Sequence, residues 1–300
     1  MDSFHSLLNL IELKNGRLKE KHQMFQKKTP YQKERERYIK KEKKYLEKQQ
    51  TKKESILNQK LEEKVPGKLQ ETLDVAFAKA FHLVFEKGTG VIEKTYRKEN
   101  IKKNYLINEL TNELKQDRKS IRAFSKNAKG SGAKNLVMSG AAGIGMGVLG
   151  VGIPDIPVFT GMVLKSIYEI AMHYGYSYET EEEQYFILLL IQGAVTHGEE
   201  MLAIDKEINQ YITSSIWVQE KSKEEMIQKT ASYLSKELLY MKFLQGIPIV
   251  GAVGGAYDVI YLKQITEYAN LKYERRFLES LKRKGTWKYE YNNQKNDRIR

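Results

Sequence analysis

The sequence contains no cysteine, which excludes a disulfide scaffold, catalysis by a thiol and zinc bound by cysteine. No G-x-x-x-x-G-K-[ST] pattern occurs, so the chain is not a P-loop ATPase. Proline is scarce, with five among 300 residues. Residues 1–22 lack the basic leader and apolar run of an export signal, so we expect a cytoplasmic protein.

Positive charge is in excess and is unevenly distributed. Lys and Arg number 51 against 38 Asp and Glu, a net charge of +13. Residues 14–64 hold 18 basic and 8 acidic side chains, and residues 94–134 hold 12 and 4, whereas residues 135–200 hold one and eight. The basic stretches predict an anionic partner, either a membrane surface or nucleic acid, although a solvated helix surface explains them equally well.

Helical spacing dominates the chain, and we predict an all-α multi-helix bundle. Residues 1–64 are expected to form a basic, mostly helical arm, residues 65–285 the helical domain and residues 286–300 a basic tail. The "NAKGSGAKN" stretch at residues 127–135 predicts a short flexible joint. Helix starts are predicted at two capping boxes, Thr180 with Glu183 and Ser222 with Glu225.

Two Gly- and Pro-rich apolar segments, which we call the elbows, are the most distinctive feature. Residues 135–154 carry no charge and six glycines, and "GIP" occurs at residues 152–154 and again at 246–248. "VLKSIYEIA" (163–171) and "YLKQITEYA" (261–269) match at five of nine positions, which indicates an imperfect internal repeat. Small residues allow close helix packing in membranes and in soluble bundles alike, so both placements remain open.

The two repeats carry a resemblance to a known family. "GVGIPDIPVFTGMVLKSIYEIAMHYGYSYETEEEQYFILLLI" (150–191) and "GIPIVGAVGGAYDVIYLKQITEYANLKYERRF" (246–277) resemble the EcsC family, over about residues 65–285. The family takes its name from a bacterial ABC-transporter locus. The resemblance implies association with a membrane or with a transporter's membrane component, and it implies no reaction.

We therefore favour a cytoplasmic accessory interaction protein at the inner face of the cytoplasmic membrane. Basic segments beside apolar elbows would combine electrostatic attraction with hydrophobic contact. The elbow residues predicted to touch the membrane or a partner are Gly143, Gly147, Gly150, Pro154, Pro157, Phe159, Pro248, Gly251, Gly254 and Gly255.

An enzyme is the first alternative. Asp155, Glu169 and Asp258 lie in or near the elbows, and converging carboxylates can act as acid and base in a small hydrolytic or lipid-directed site. The structural interpretation is that Asp155 starts a helix and Glu169 pairs with Lys165. We predict no cofactor and no metal. "GMGVLG" (145–150) fits G-x-G-x-x-G, but no βαβ pattern surrounds it, which favours glycine packing over nucleotide binding.

Nucleic-acid binding is the less favoured alternative. Tyr31, Tyr38 and Tyr45 follow each other at seven-residue intervals in the basic arm, where aromatic rings can stack on bases. That period is more typical of one helix side packing against a neighbour. Among the histidines, His173 near a helix C-terminus is expected to have a surface position or to interact with the helix dipole, and His197 lacks the second histidine of a metalloprotease motif.

Overall fold

The computed structural model describes residues 28–50, 67–147, 156–217, 221–244 and 254–285. In these ranges the chain is helical and contains no strand. The helices are α1 (Pro30–Gln50), α2 (Gly67–His82), α3 (Thr89–Glu93), α4 (Lys98–Lys115), α5 (Arg118–Gly147), α6 (Ile156–His173), α7 (Glu181–Val195), α8 (Gly198–Ser214), α9 (Lys223–Leu244) and α10 (Gly254–Arg283). A π-helical turn, Leu83–Gly88, joins α2 to α3. The all-α prediction is thus confirmed.

The core forms around α6, α7 and α10. Nearly every residue of α6 after Gly161 and of α7 after Tyr185 is buried, which their continuous apolar sequences require. The long helix α10 packs against α5, α6, α7 and α8, while α9 packs against α2 and α7. Gly193 lies where α7 meets α10, and a Cβ there would approach Cε1 of Tyr268 to 2.8 Å. The close approach of these two helices therefore depends on a missing side chain.

The predicted helix ends agree with the structure. Thr180 Oγ1 accepts a hydrogen bond from the amide of Glu183 at 3.2 Å. Ser222 and Glu225 bond reciprocally, each backbone amide donating to the other's side chain. Gly175 follows α6 with a φ of 83°, a conformation that glycine adopts without strain.

The prediction of a flexible joint at residues 127–135 is wrong. These residues lie inside α5, which is continuous from Arg118 to Gly147. Ala128 is fully buried, Ser131 Oγ lies 2.8 Å from His173 Nε2, and Asn135 Nδ2 donates to Glu169 at 3.3 Å. Packing against α6 and α10 stabilises a helix that the local glycines alone would weaken.

The expected arm is in part a component of the bundle. Helix α1 packs against α5, α8 and α10. Tyr31 and Tyr38 are buried, and the ring of Tyr45 stacks on Tyr268 at 5.4 Å. The seven-residue tyrosine period thus marks a packed helix side, and these rings are not available to stack on bases. Residues 51–64 lie outside the described residues.

Buried ion pairs attach the polar helix α1 to the core. The ammonium of Lys272 on α10 is fully buried and contacts Glu42 Oε1 at 2.7 Å, Asp205 Oδ1 at 2.6 Å and Asn209 Oδ1 at 3.0 Å. Arg275 Nη1 donates to the second oxygen of Glu42 at 2.8 Å. Burial opposes ionisation of Glu42, but Lys272 and Arg275 outweigh it and hold its pKa below the usual value.

A second buried carboxylate serves the same purpose at the start of α1. Glu34 is 1% exposed and accepts from Arg37, Arg118 and Arg122 at 2.6 to 2.8 Å. Arg37 also bonds Glu274 at 2.8 Å, which joins α1 to α10. Glu34 and Glu42 are thus each compensated by more than one cation. Such pairing offsets the cost of removing a charged carboxylate from water.

Replacement of Lys272 with methionine should destabilise the protein strongly. Methionine keeps the length but leaves Glu42 and Asp205 without their shared cation, so the free energy of unfolding at pH 7 should fall by about 3 kcal/mol. Urea denaturation measures this change. Lys43→Met is the matched control, because Lys43 pairs with Glu47 at 3.8 Å on the surface and its loss should cost less than about 0.5 kcal/mol. Equal effects of the two substitutions would contradict the assignment.

Candidate functional site

Most predicted elbow residues fall at the edge of the described structure or beyond it. Gly150, Pro154, Pro248 and Gly251 lie outside the described residues, as does Asp155. Gly143 and Gly147 belong to the last turns of α5, and Gly254 and Gly255 begin α10. The predicted contact surface at the elbows therefore remains a prediction.

Two of the predicted elbow residues lie in α6, and they differ in exposure to solvent. Pro157 is exposed in the first turn of α6. Phe159 is 1% exposed, and its ring meets the edge of Phe77 at a centroid distance of 6.4 Å. Phe159 therefore contributes to the core between α2 and α6, and its side chain is not accessible to a partner.

Glu169 has the surroundings of a structural carboxylate. It is 5% exposed on α6, with Lys165 Nζ at 4.0 Å and Asn135 Nδ2 at 3.3 Å. Burial raises its pKa, and the nearby ammonium of Lys165 only partly offsets this. The expected Lys165–Glu169 pair is thus present.

Glu169 is far along α6 from the start of that helix, next to which Asp155 lies in the sequence. Glu169 lies thirteen residues after Ile156, the first residue of α6, which is about 20 Å along a helix axis. Asp155 precedes Ile156 in the sequence and lies outside the described residues, and the side chain of Asp258 is not described either. The three-carboxylate site remains a prediction, and the position of Glu169 does not favour it.

His173 is buried, contrary to the expected surface position. It is the last residue of α6 and is 5% exposed, because α5 covers it. Its Nε2 lies 2.8 Å from Ser131 Oγ, and burial lowers its pKa from 6.5 to about 4. The imidazole is therefore neutral in the folded protein at neutral pH.

Stability should fall in mild acid because of His173. Below pH 6.5 the unfolded chain takes up a proton that the folded chain refuses until about pH 4, so the free energy of unfolding decreases across this interval. Between pH 7 and pH 4.5 the wild type should lose about 2 kcal/mol more than His173→Gln, as measured by urea denaturation. The same pH dependence in both proteins would show that His173 is accessible to protons in the folded state.

An exposed aliphatic stripe runs along α4, and the sequence analysis missed it. Leu106, Leu110 and Leu114 follow each other at four-residue intervals on one face, beside Ile107, and are 52 to 77% exposed. The opposite face packs on the bundle through Ile101 and Asn112, both buried. The i, i+4, i+8 spacing of these leucines is present in the sequence, and it is the signal that could have predicted the stripe. We call Leu106, Ile107, Leu110 and Leu114 the α4 stripe.

The α4 stripe belongs to the most basic segment of the described chain. Residues 94–134 hold 12 Lys and Arg and 4 Asp and Glu, a net charge of 12 − 4 = +8. Arg118 and Arg122 bond to the buried Glu34, and Lys98 bonds to Glu93 and Glu179. Exposed lysines remain along α4 and α5: Lys102, Lys103, Lys115, Lys119 and Lys126.

A pocket rich in lysine opens between α1, α5, α6 and α10, with a volume of about 440 Å³. Its lining cations are Lys41, Lys44, Lys48, Lys129 and Lys263, and its carboxylate is Glu267. Buried apolar side chains form part of the wall, among them Ala128, Ile170 and Leu271. We call this cavity the lysine pocket. The basic runs are evident in the sequence, but their convergence depends on the packing of α1.

A larger cavity of about 680 Å³ lies near Gly175, at the end of α6. It is lined by Glu109, Glu113 and Lys284, and Lys284 pairs with Glu109 at 3.0 Å. Lys284 thus neutralises Glu109, and Glu113 leaves the lining with a single negative charge.

Metal and membrane-spanning features are absent from the residues that the structure describes. Within them, no group of three or more His, Asp or Glu side chains is arranged to hold a metal ion. In the same ranges, no helix combines the length and the apolar character that crossing a bilayer requires.

Comparison with known proteins identifies the family. The model of the EcsC protein family matches residues 31–278, which is most of the chain, and the protein belongs to that family. The match begins at residue 31, so it includes α1, which the sequence resemblance had left out.

A curated relative and the solved structures add little about function. The uncharacterized protein YdbA of Bacillus subtilis (strain 168) is 28% identical over 130 residues, covering 43% of this chain. The aligned region spans 48% of the length of YdbA. No solved structure matches the chain.

Proposed function

We propose that this EcsC-family protein is an accessory interaction protein that docks on the anionic inner face of the cytoplasmic membrane through the α4 stripe. The observation that carries the proposal is the coincidence of four exposed aliphatic side chains with the most basic segment of the described chain. The proposal adds α4 as a contact surface, and contact through the elbows remains a prediction.

The apolar part of the attraction comes from the stripe itself. Scattered exposed hydrophobic residues are normal on soluble proteins, but four on one helix face form a contiguous patch. Full burial of a leucine side chain contributes about 2 kcal/mol, so partial insertion of the α4 stripe into the acyl boundary supplies a few kcal/mol. This is the geometry of a helix that lies in the membrane interface.

The electrostatic part comes from the exposed lysines of α4 and α5. A lysine near an anionic bilayer contributes about 1 kcal/mol, and this attraction falls off within a Debye length. Glu99, Glu109 and Glu113 on α4 oppose it, so the net attraction depends on the larger number of cations in residues 94–134. Charge complementarity therefore favours an anionic membrane over a neutral one.

A membrane component of an ABC transporter is the partner that the family resemblance implies. A protein held at the inner membrane face by α4 would lie beside such a component with its other surfaces accessible. This part of the proposal is supported by the resemblance alone.

Vesicle flotation of the full chain tests the docking surface. The wild type should float with vesicles of phosphatidylglycerol and phosphatidylcholine in equal parts, and it should not float with phosphatidylcholine alone. The triple substitution Leu106→Ser, Leu110→Ser, Leu114→Ser should lower the bound fraction about fivefold, because it removes most of the apolar patch. High salt should release the wild type in part.

The control for this experiment is a triple substitution of equally exposed aliphatic residues elsewhere: Val75→Ser, Leu83→Ser, Ile216→Ser. This variant should float like the wild type. Failure of the wild type to bind anionic vesicles, or equal losses in both triple variants, would contradict the proposed function.

A further inference from the structure

The lysine pocket is a site of a different kind from the α4 stripe, because it is concave and lies between helices. Its volume of about 440 Å³ falls within the range of small-molecule sites. Five lysines and one glutamate leave it strongly positive. Ligand binding at this site does not depend on the proposed membrane docking.

The pocket cations are incompletely neutralised. Lys41 is paired with Glu274 at 2.7 Å. For Lys44, Lys129 and Lys263, no carboxylate of the described residues lies within ion-pair distance. A concentration of like charge in a concave surface is unfavourable unless an anion occupies it.

Lys129 responds to this surplus. Burial lowers its pKa, and the positive charges of Lys41 and Arg37 lower it further. Glu274 and Glu267 act in the opposite direction but do not compensate. A bound anion would raise the pKa of Lys129.

The neutral part of the lining points to a ligand that is more than a bare anion. Gln49 on α1 is 3% exposed, and its Oε1 accepts no hydrogen bond from the described residues. A buried acceptor of this kind costs stability unless a donor reaches it. The apolar lining that keeps accessible surface consists of Ala133 and the partly buried ring of Tyr45, and it would contact hydrocarbon.

We propose that the lysine pocket binds a phosphorylated amphiphile, with the phosphate held by Lys44, Lys129 and Lys263 and the start of its hydrocarbon part on the apolar lining. Lysine ammonium groups bind phosphate as point charges and need no bidentate geometry. The same chemistry is present in a membrane phospholipid and in a free phosphate ester, which the test separates.

Isothermal titration of the full chain with soluble, short-chain compounds tests this site without any bilayer. The probes are dihexanoyl phosphatidate below its micelle concentration, glycerol 3-phosphate as the head group alone, and dihexanoyl phosphatidylcholine as a zwitterionic amphiphile. The wild type should bind the phosphatidate about tenfold more tightly than either of the other two. Equal binding of glycerol 3-phosphate would overturn the amphiphile assignment, and equal binding of phosphatidylcholine would overturn the role of the lysines.

Substitutions locate the binding. Lys44→Met, Lys129→Met, Lys263→Met should weaken phosphatidate binding about tenfold or more, whereas Lys40→Met, Lys126→Met, Lys282→Met removes the same charge from the same helices outside the pocket and should leave binding unchanged. Both sets are exposed side chains, and thermal melting verifies that each variant is folded. The proposal is overturned if the wild type does not bind phosphatidate, or if the two variants bind it equally. Because no vesicle is present, these outcomes are independent of flotation.

Discussion

Buried ion pairs that join α1 to α5 and α10 are the constraint on which the lysine pocket depends. A helix with as many lysines and glutamates as α1 has little apolar area to bury, so its packing depends on Glu34 and Glu42. Each of these carboxylates lies below the surface and is met by cations of other helices, Arg118 and Arg122 for Glu34 and Lys272 for Glu42. Such pairs are costly when one partner is missing, which fixes the position of α1 on the bundle.

The position of α1 determines where the remaining cations lie. With Glu42 directed inward to Lys272, the neighbouring Lys41, Lys44 and Lys48 form one wall of a cavity that α5 and α10 complete. Helix α10, which carries the second of the two matching nine-residue segments, contributes the facing wall. The apolar residues of both matching segments are buried in the core: Leu164 and Ile167 in α6, and Leu262 and Ile265 in α10. The charged residues at matching positions differ in their exposure to solvent. Lys165 and Glu169 are buried beneath α5, whereas the repeated Lys263 and Glu267 are exposed and line the lysine pocket.

Features that depend on residues adjacent in sequence, such as helix caps, could be predicted from the sequence. The caps at Thr180 and Ser222 depend on neighbouring residues alone, and they are present as expected. The glycines of residues 127–135 predict a flexible joint, but this stretch is helical because residues distant in sequence pack against it. Gly132 faces Thr266, and Ser131 contacts His173. His173 itself was expected at the surface, since nothing in the sequence shows that α5 covers it.

For the candidate surfaces, too, the sequence shows the local pattern, and the structure shows how distant helices position it. The sequence predicts an apolar helix face from the spacing of Leu106, Leu110 and Leu114. That this face is directed outward follows only from the structure, in which Ile101 and Asn112 on the opposite face are buried. The lysine pocket unites α1, α5 and α10, which lie more than 200 residues apart at their extremes, so it could not be predicted from spacing. The elbows carried the resemblance to the EcsC family, and their role in contact stays a prediction.

Hydrogen–deuterium exchange of the full chain, free and on anionic vesicles, tests the central claim most directly. The account predicts that the vesicles slow amide exchange in peptides that cover residues 98–115, because α4 enters the interface. Slower exchange in both elbows with no change across residues 98–115 would contradict it.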